Sequence, residues 1–404
     1  MNIASGNGGG GDGDDGGSYG GLLFLVGVTA LTSVALSSLT ISLMMKYPTE
    51  MIKTALIFST ILLLVMAIAG FMSGSIFAGA IGLFFFAVTC CYAKSVWHRI
   101  PFAASNLNTA LTAVKSNMGL AFIAYFVMLL AFGWSCFWFL GFAQSLSTSN
   151  TGIVFLLLLS YYWVHQVLSN TIHVTTAGTV GTWWFVPGEA NGCWSTAITD
   201  SFCRATTYSF GSICLGSLLV AVVQALRALA HQARQNEDMQ LLYCLIECIL
   251  GCIQDIIEYF NKWAYVYVGL YGFGYIEAGR NVVQLFQQKG WTVIITDDLT
   301  DRVLMMVSIG VGVLTGFVGL AITLADQSIL GDLGIEENVA AIGFLIGFMV
   351  GLVFCSILMS VVGSAINTVI VCFAESPAEF EANHPQLSGE MRSSWMSAWP
   401  DLPW

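Results

Sequence analysis

The chain has 404 residues, of which 56% are hydrophobic and 9% charged, with a mean hydropathy of +0.78. A soluble domain carries roughly a quarter charged residues, so a soluble fold is excluded. Apolar runs near the ~20 residues that carry a helix across the hydrocarbon layer predict an all-α, polytopic helical membrane protein, and a formal charge of −11 leaves no basic surface for nucleic acid.

Residues 1–20 are rich in glycine and aspartate, including Asp12, Asp14 and Asp15, and are too polar to fold, which predicts a disordered tail. No basic stretch precedes the first apolar block, so Gly21–Met45 reads as a true span and not as a cleaved signal peptide. Further blocks follow at Met51–Met72, Ile76–Tyr92, Met118–Phe142, Thr151–Phe185, Thr206–Ala230, Leu241–Tyr275, Val303–Leu324 and Val339–Val362. They make about nine transmembrane segments, one of them a possible partial or broken crossing, in a transmembrane domain over 21–374. Residues 375–404 form an acidic C-terminal tail with Trp395, Trp399 and Trp404, read as solvated with occasional interfacial contacts.

Lysine and arginine set the orientation, because they are retained on the cytoplasmic side. With the first span running inward, Lys46, Lys53, Lys94, Arg99, Lys115, Arg204, Arg280, Lys289, Arg302 and Arg392 all fall inside, with Arg227 and Arg234 as exceptions. That predicts an outer N-terminus and a cytoplasmic C-terminus if every block crosses once. Leu241–Tyr275 strains the count. Gln240, Glu247, Gln254, Asp255, Glu258, Asn261 and Lys262 gather on one side of its helical projection, and the apolar remainder after Lys262 is too short to span alone. Gly343, Gly347 and Gly351, with Gly312 and Gly316 on the preceding segment, predict a tight hairpin of the last two spans.

No nucleophile with a base, metal cluster or phosphate cradle stands in the sequence, so an enzyme, a metal site and a cofactor are not expected. The 11 cysteines show no CxxC or Cys-His pattern, and the row Cys244, Cys248 and Cys252 reads as packing. Polar groups inside apolar blocks are more telling. His165 follows Tyr161, Tyr162 and Trp163, and the stretch His173–Phe185 places an imidazole and four threonines before Trp183 and Trp184. Such groups must face the bundle or a wet cavity, and Gly178 and Gly181 allow a broken or close-packed helix there. A second group, Glu247, Asp255, Glu258, Tyr265, Tyr267, Tyr271 and Tyr275, joins carboxylates to aromatic faces, a combination suited to an organic cation. The plainer alternatives are an interfacial belt for Trp183 and Trp184 and an i, i+4 pair of Glu258 with Lys262.

Several of these stretches occur together and in order: His173–Phe185, Gly211–Leu218 continuing to Arg227, Asn261–Tyr265, Tyr271-Gly272 and Ala278–Asn281, with Arg99–Ala103 upstream. In them the chain resembles the choline transporter-like family, and its fungal and protist branch in particular. The resemblance implies ten spans with Gly21–Met45 at the second, so that the family's first span is absent here. It further implies transport, as a plasma-membrane solute carrier, of choline or a related small organic cation. An aromatic-lined cavity containing Trp163, Trp183, Trp184, Glu247 and Tyr265 would alternate its exposure, with the lipid bilayer as the other partner. The alternative is a non-transporting membrane scaffold that binds a partner through its C-terminal tail.

Overall fold

The computed structural model describes residues 20–145, 151–233, 240–289, 299–333 and 337–400. Asp12, Asp14, Asp15, Arg234, Asp401 and Trp404 lie outside these. Helices run in the order α1 (Gly20–Lys46), α2 (Pro48–Met72), α3 (Ile76–Val96), α4 (Ile100–Ser116), α5 (Gly119–Ser145), α6 (Thr151–Phe185), α7 (Thr196–Thr206) and α8 (Phe210–Ala233). They continue as α9 (Gln240–Tyr271), α10 (Tyr275–Gln288), α11 (Leu299–Ala325), α12 (Val339–Glu375), α13 (Pro377–Asn383) and α14 (Pro385–Ala398), and no strand occurs among the described residues.

The sequence punctuates these helices locally. Pro48 opens α2 where its missing N–H costs nothing, and the Ser75 hydroxyl caps α3 by accepting from the Ala78 N–H at 3.2 Å. Gly272, at φ +72°, takes the left-handed conformation that stops α9, and α12 ends just before Ser376-Pro377, where the residue preceding proline leaves the helical region.

Eight helical stretches among the described residues are long and apolar enough to cross a membrane: Gly20–Lys46, Pro48–Met72, Ile76–Ser116, Gly119–Phe142, Gly152–Phe185, Phe210–Gln232, Leu299–Ala325 and Val339–Glu375. The ninth expected segment, Leu241–Tyr275, is not among them. It is one continuous helix to Tyr271, but Glu247, Gln254, Asp255, Glu258, Asn261 and Lys262 lower its hydropathy. The polytopic all-α expectation holds, with α9 the segment that departs from it.

The chain divides into two compact units. In the unit made by residues up to Ser38 together with Ser308–Cys355, the start of α1 packs with α11 and α12 around Leu25, Leu330 and Val339. The expected small-residue hairpin is present. A Cβ on Gly347 would lie 2.5 Å from the Thr315 carbonyl oxygen, one on Gly319 would strike the Gly343 carbonyl, and Ser33 Oγ donates to the Gly351 carbonyl at 3.2 Å.

The larger unit, Leu39–Val307 with Ser356–Trp404, holds the amphipathic α4, the middle of α6, the second half of α9 and the end of α12. Here the expectation of a solvated C-terminal tail is corrected. Phe380, Met391 and Trp395 are fully buried, and Trp395 Nε1 donates to Asn106 Oδ1 at 2.8 Å on α4. The Arg99 guanidinium lies 4.2 Å from the Trp399 ring. Apolar side chains at the tail's helical spacing outweigh its acidic composition, because the carboxylates occupy the opposite, exposed side.

Candidate functional site

A buried polar knot forms where α6, α8, α9 and α12 meet. Thr171, Thr175 and Thr179 are buried on α6, and each hydroxyl donates to the carbonyl four residues earlier at 2.7–2.9 Å. These three threonines therefore sit in an apolar bundle with their hydroxyls satisfied, while the hydroxyl of buried Thr176 has no hydrogen-bond partner. The helix is continuous to Phe185, so Gly178 and Gly181 serve close packing: a Cβ on Gly178 would fall 2.7 Å from Ser201 Oγ and 3.1 Å from the Gly269 carbonyl of α9.

His173 ties three helices together. Its Nε2 lies 3.1 Å from the Lys262 carbonyl of α9 and its Nδ1 2.7 Å from Ser364 Oγ of α12. A carbonyl only accepts, so Nε2 carries the proton. The Ser364 hydroxyl stands within reach of both His173 Nδ1 and the Ser360 carbonyl, the latter at 2.9 Å, and it donates to one at a time.

On α8, the turn Ile213–Ser217 supplies a row of acceptors. Tyr265 Oη donates to the Ile213 carbonyl at 3.2 Å, Trp163 Nε1 to the Cys214 carbonyl at 3.0 Å, Asn261 Nδ2 to the Gly216 carbonyl at 3.2 Å and Asn170 Nδ2 to Ser217 Oγ at 2.9 Å. Asn261 Oδ1 accepts from Tyr275 Oη. Burial pushes the Tyr275 phenol up to about 12, which keeps it a neutral donor. Gly216 has a reason to be glycine: a Cβ there would meet the Tyr265 hydroxyl, and would lie 2.5 Å from the Tyr275 ring.

A cleft of about 550 Å³ opens on the other side of Lys262, lined by Asp255, Glu258, Tyr259, Lys262, Asp301, Arg302 and Met305. Lys262 pairs with Asp301 at 3.2 Å and not with Glu258, which accepts from Gln254 Nε2 at 2.7 Å. The i, i+4 alternative is thereby replaced by a pairing between helices. Arg302 donates to Ser59 Oγ at 3.4 Å and lies 4.7 Å over the Tyr92 ring, while its buried Nε has no hydrogen-bond partner.

The five aromatic and acidic residues singled out in the sequence fall into three groups. Trp163 and Tyr265 reach adjacent carbonyls of α8 and belong to the knot. Trp183 and Trp184 are buried at the end of α6, where neither forms an interfacial belt. Trp183 stacks on His384 at 4.0 Å and Trp184 on Phe380 at 3.9 Å, and Asn383 Nδ2 donates to the Trp184 and Phe185 carbonyls at 2.9 and 3.0 Å. Those two carbonyls are among the last of α6, which lack a partner within the helix. Glu247 lies 3.1 Å from His231 Nδ1 between α8 and α9, 18 residues from Tyr265 and so about 27 Å along the helix.

Ser364, Ser217, Asn170 and Arg302 were not anticipated as site residues. Their signal was weak but present, since Asn170 and Asn261 interrupt apolar sequence and Asp301-Arg302 opens a span. The Cys244, Cys248 and Cys252 row does not pack inward: all three are exposed, on the same outer side of α9 as Leu245, Ile249 and Ile256. Among the described residues no group of histidine, cysteine and carboxylate side chains could hold a metal ion.

Comparison with known proteins gives this arrangement a family. The chain is 31% identical over 262 residues to protein PNS1 of Mycosarcoma maydis, covering 63% of this chain and 48% of that one. It is 26% identical over 324 residues to a CTL-like protein of Dictyostelium discoideum, covering 78% of this chain and 58% of that one. A third relative, protein PNS1 of Cryptococcus neoformans, is 38% identical over 168 residues, 39% of this chain and 30% of that one. The chain thus spans about half the length of the first two curated relatives. The profile described as plasma-membrane choline transporter matches residues 80–378, which include α4, the knot on α6, α8, α9 and α12, and the cleft, and the chain therefore belongs to the choline transporter family.

Proposed function

We propose that this multi-pass protein transports choline or a related small organic cation across the plasma membrane by alternating access, with its C-terminus in the cytoplasm. One observation carries this reading furthest: a buried knot of histidine, asparagine, serine and tyrosine groups joins four helices inside an otherwise apolar bundle. Polar groups at such positions are expensive and mark substrate pathways. Trp163 and Tyr265 supply aromatic faces at the knot, which attract an ammonium group by ~0.5–2 kcal/mol each when water is excluded.

The five residues act as stations on a route along α9 and α6 and do not line one chamber. Glu247 is the first carboxylate at the α8–α9 end, Trp163 and Tyr265 are the centre, and Trp183 and Trp184 hold the far end of α6 against the tail. His173 links the moving parts, since any shift of α6 against α9 or α12 must break its bonds to Lys262 or Ser364. With α9 crossing as a ninth segment, the basic residues at Lys94, Arg99, Lys115, Arg204, Arg280 and Lys289 favour this orientation.

The test is uptake of labelled choline into proteoliposomes holding the purified chain, with a panel of quaternary and primary amines beside it. Saturable uptake is expected, reduced at least tenfold by Tyr265→Ala and lowered by Glu247→Gln by more than protein abundance falls. Uptake equal to that of empty vesicles across the whole panel would remove the proposal.

A further inference from the structure

The cleft beside Lys262 carries a charge arrangement that a simple cation does not need. Asp255, Glu258 and Lys262 share one face of α9 at i, i+3 and i+7, and Asp301 with Arg302 faces them from the first turn of α11. Lys262 and Asp301 largely cancel as an ion pair at 3.2 Å. What remains is a carboxylate pair, Asp255 and Glu258, and the Arg302 guanidinium, which makes no ion pair among the described residues. Its contacts are the Ser59 hydroxyl and the Tyr92 ring, neither of which neutralises its charge. A free cation would meet the repulsion of Arg302, and a free anion that of Asp255 and Glu258.

The geometry points to a binding site for a zwitterion that carries an ammonium group and a phosphate a short chain apart. The ammonium group would lie against Asp255 and Glu258 beside the Tyr259 ring, and the phosphate against Arg302 and Lys262. Glu258 and Lys262 are about one helical turn apart, ~6 Å along the axis, which suits the spacing of the two charges in a two-carbon amino-alcohol phosphate. The cleft volume of about 550 Å³ holds such a group with room to spare. The same chemistry is offered by the headgroup of a zwitterionic phospholipid in the surrounding bilayer and by the free phosphate ester in solution. Ile253 and Ile256, exposed on α9 beside the cleft, and Met305, exposed on α11 within its lining, leave either source a way in. This inference does not rest on the route proposed above, and its test reads binding and not uptake.

The experiment measures binding of phosphocholine, choline and inorganic phosphate to the full chain in detergent by calorimetry. Phosphocholine should bind at least tenfold more tightly than either fragment. Asp255→Asn with Glu258→Gln should invert the order in favour of phosphate, and Arg302→Gln should invert it in favour of choline, while Arg302→Lys keeps the order of the natural chain. Loss of folding weakens all three ligands together and cannot produce opposite inversions. Choline bound as tightly as phosphocholine, no binding of phosphocholine, or an order unchanged in both charge variants would overturn the assignment. Native mass spectrometry after purification from phosphatidylcholine vesicles separates the sources. A retained lipid displaced by phosphocholine supports the headgroup, and phosphocholine binding with no lipid adduct supports the soluble ester.

Discussion

Replacing Trp395 by alanine tests whether the C-terminal segment is part of the folded protein. Its indole is fully buried, with ring centroids 4.9 Å from Phe102 and 4.6 Å from Phe373, and its N–H satisfies Asn106 Oδ1 at 2.8 Å. Truncating a buried tryptophan costs about 3–5 kcal/mol. The orphaned Asn106 carbonyl, itself buried, adds roughly 1–3 kcal/mol. Because the two losses share one site they do not simply sum, and about 4–6 kcal/mol is expected. Trp395→Phe keeps an aromatic ring between Phe102 and Phe373 and loses chiefly the hydrogen bond, for about 1–3 kcal/mol. Met396 is 42% exposed on the same helix, so Met396→Ala should change stability by only about 0.5 kcal/mol. The assay is thermal unfolding of the purified full chain in detergent, followed by the monomer remaining on size-exclusion chromatography. A chain of two compact units has no single two-state free energy, so the readout is the order of apparent midpoints. Trp395→Ala should fall furthest, Trp395→Phe next and Met396→Ala least. A Trp395→Ala midpoint no lower than that of Met396→Ala would refute the docking of α14 on α4.

Glycine positions give a second comparison: Gly347→Ala, whose new Cβ would lie 2.5 Å from the Thr315 carbonyl, should lower the melting midpoint by an overpacking cost of about 1–3 kcal/mol. Gly310→Ala, with nothing within 4 Å, should be near neutral, and equal effects would dismiss the tight α11–α12 hairpin. Thiol accessibility checks exposure and sidedness together. An impermeant maleimide should reach Cys193 and Cys203, exposed around α7, only after cells are permeabilised, while buried Cys372 stays unmodified; labelling of Cys193 on intact cells would reverse the proposed orientation. Stability should also report Tyr275 at high pH. Its phenol is pushed up to about 12, so its contribution is complete below the ordinary phenol value of about 10 and is lost as pH rises through about 12. Tyr275→Phe should reduce that alkaline slope, to which other buried phenols also contribute, and a slope unchanged in the variant would exclude Tyr275 as a contributor.

What the sequence disclosed and what it hid divide along one physical line. Spans such as Pro48–Met72 were legible because membrane helices are selected by length and apolarity, and both are properties of a single segment. The glycine hairpin was legible because spacing alone determines whether backbones can approach. The tail misled because its carboxylates dominate composition, while burial depends on where Phe380, Met391 and Trp395 fall around short helices whose docking surface, α4, lies almost 300 residues away in the chain. The packing of Trp183 and Trp184 was hidden for the same reason, since an aromatic pair at the end of a span looks alike whether it faces headgroups or a returning helix. Glu247 was selected for its type and neighbours, but its distance along α9 from Tyr265 follows from helix continuity. An uninterrupted α9 excludes a single small chamber holding both.

Helix α9 is where the strain in the sequence and the interest in the structure coincide. Its hydropathy is too low for an ordinary span because one stripe of it faces partners that are themselves polar: Glu247 meets His231, Gln254 meets Arg227 and Glu258, and Lys262 meets both His173 and Asp301. Each of these pairings lowers the cost of keeping a polar group among apolar helices, and those that reach another helix would not form if the stripe faced lipid, whereas the Gln254–Glu258 contact lies within α9 itself. At Lys262 the two regions of chemistry touch, with the backbone carbonyl serving the knot and the side chain serving the cleft. Any shift of α9 at Lys262 would therefore move both at once.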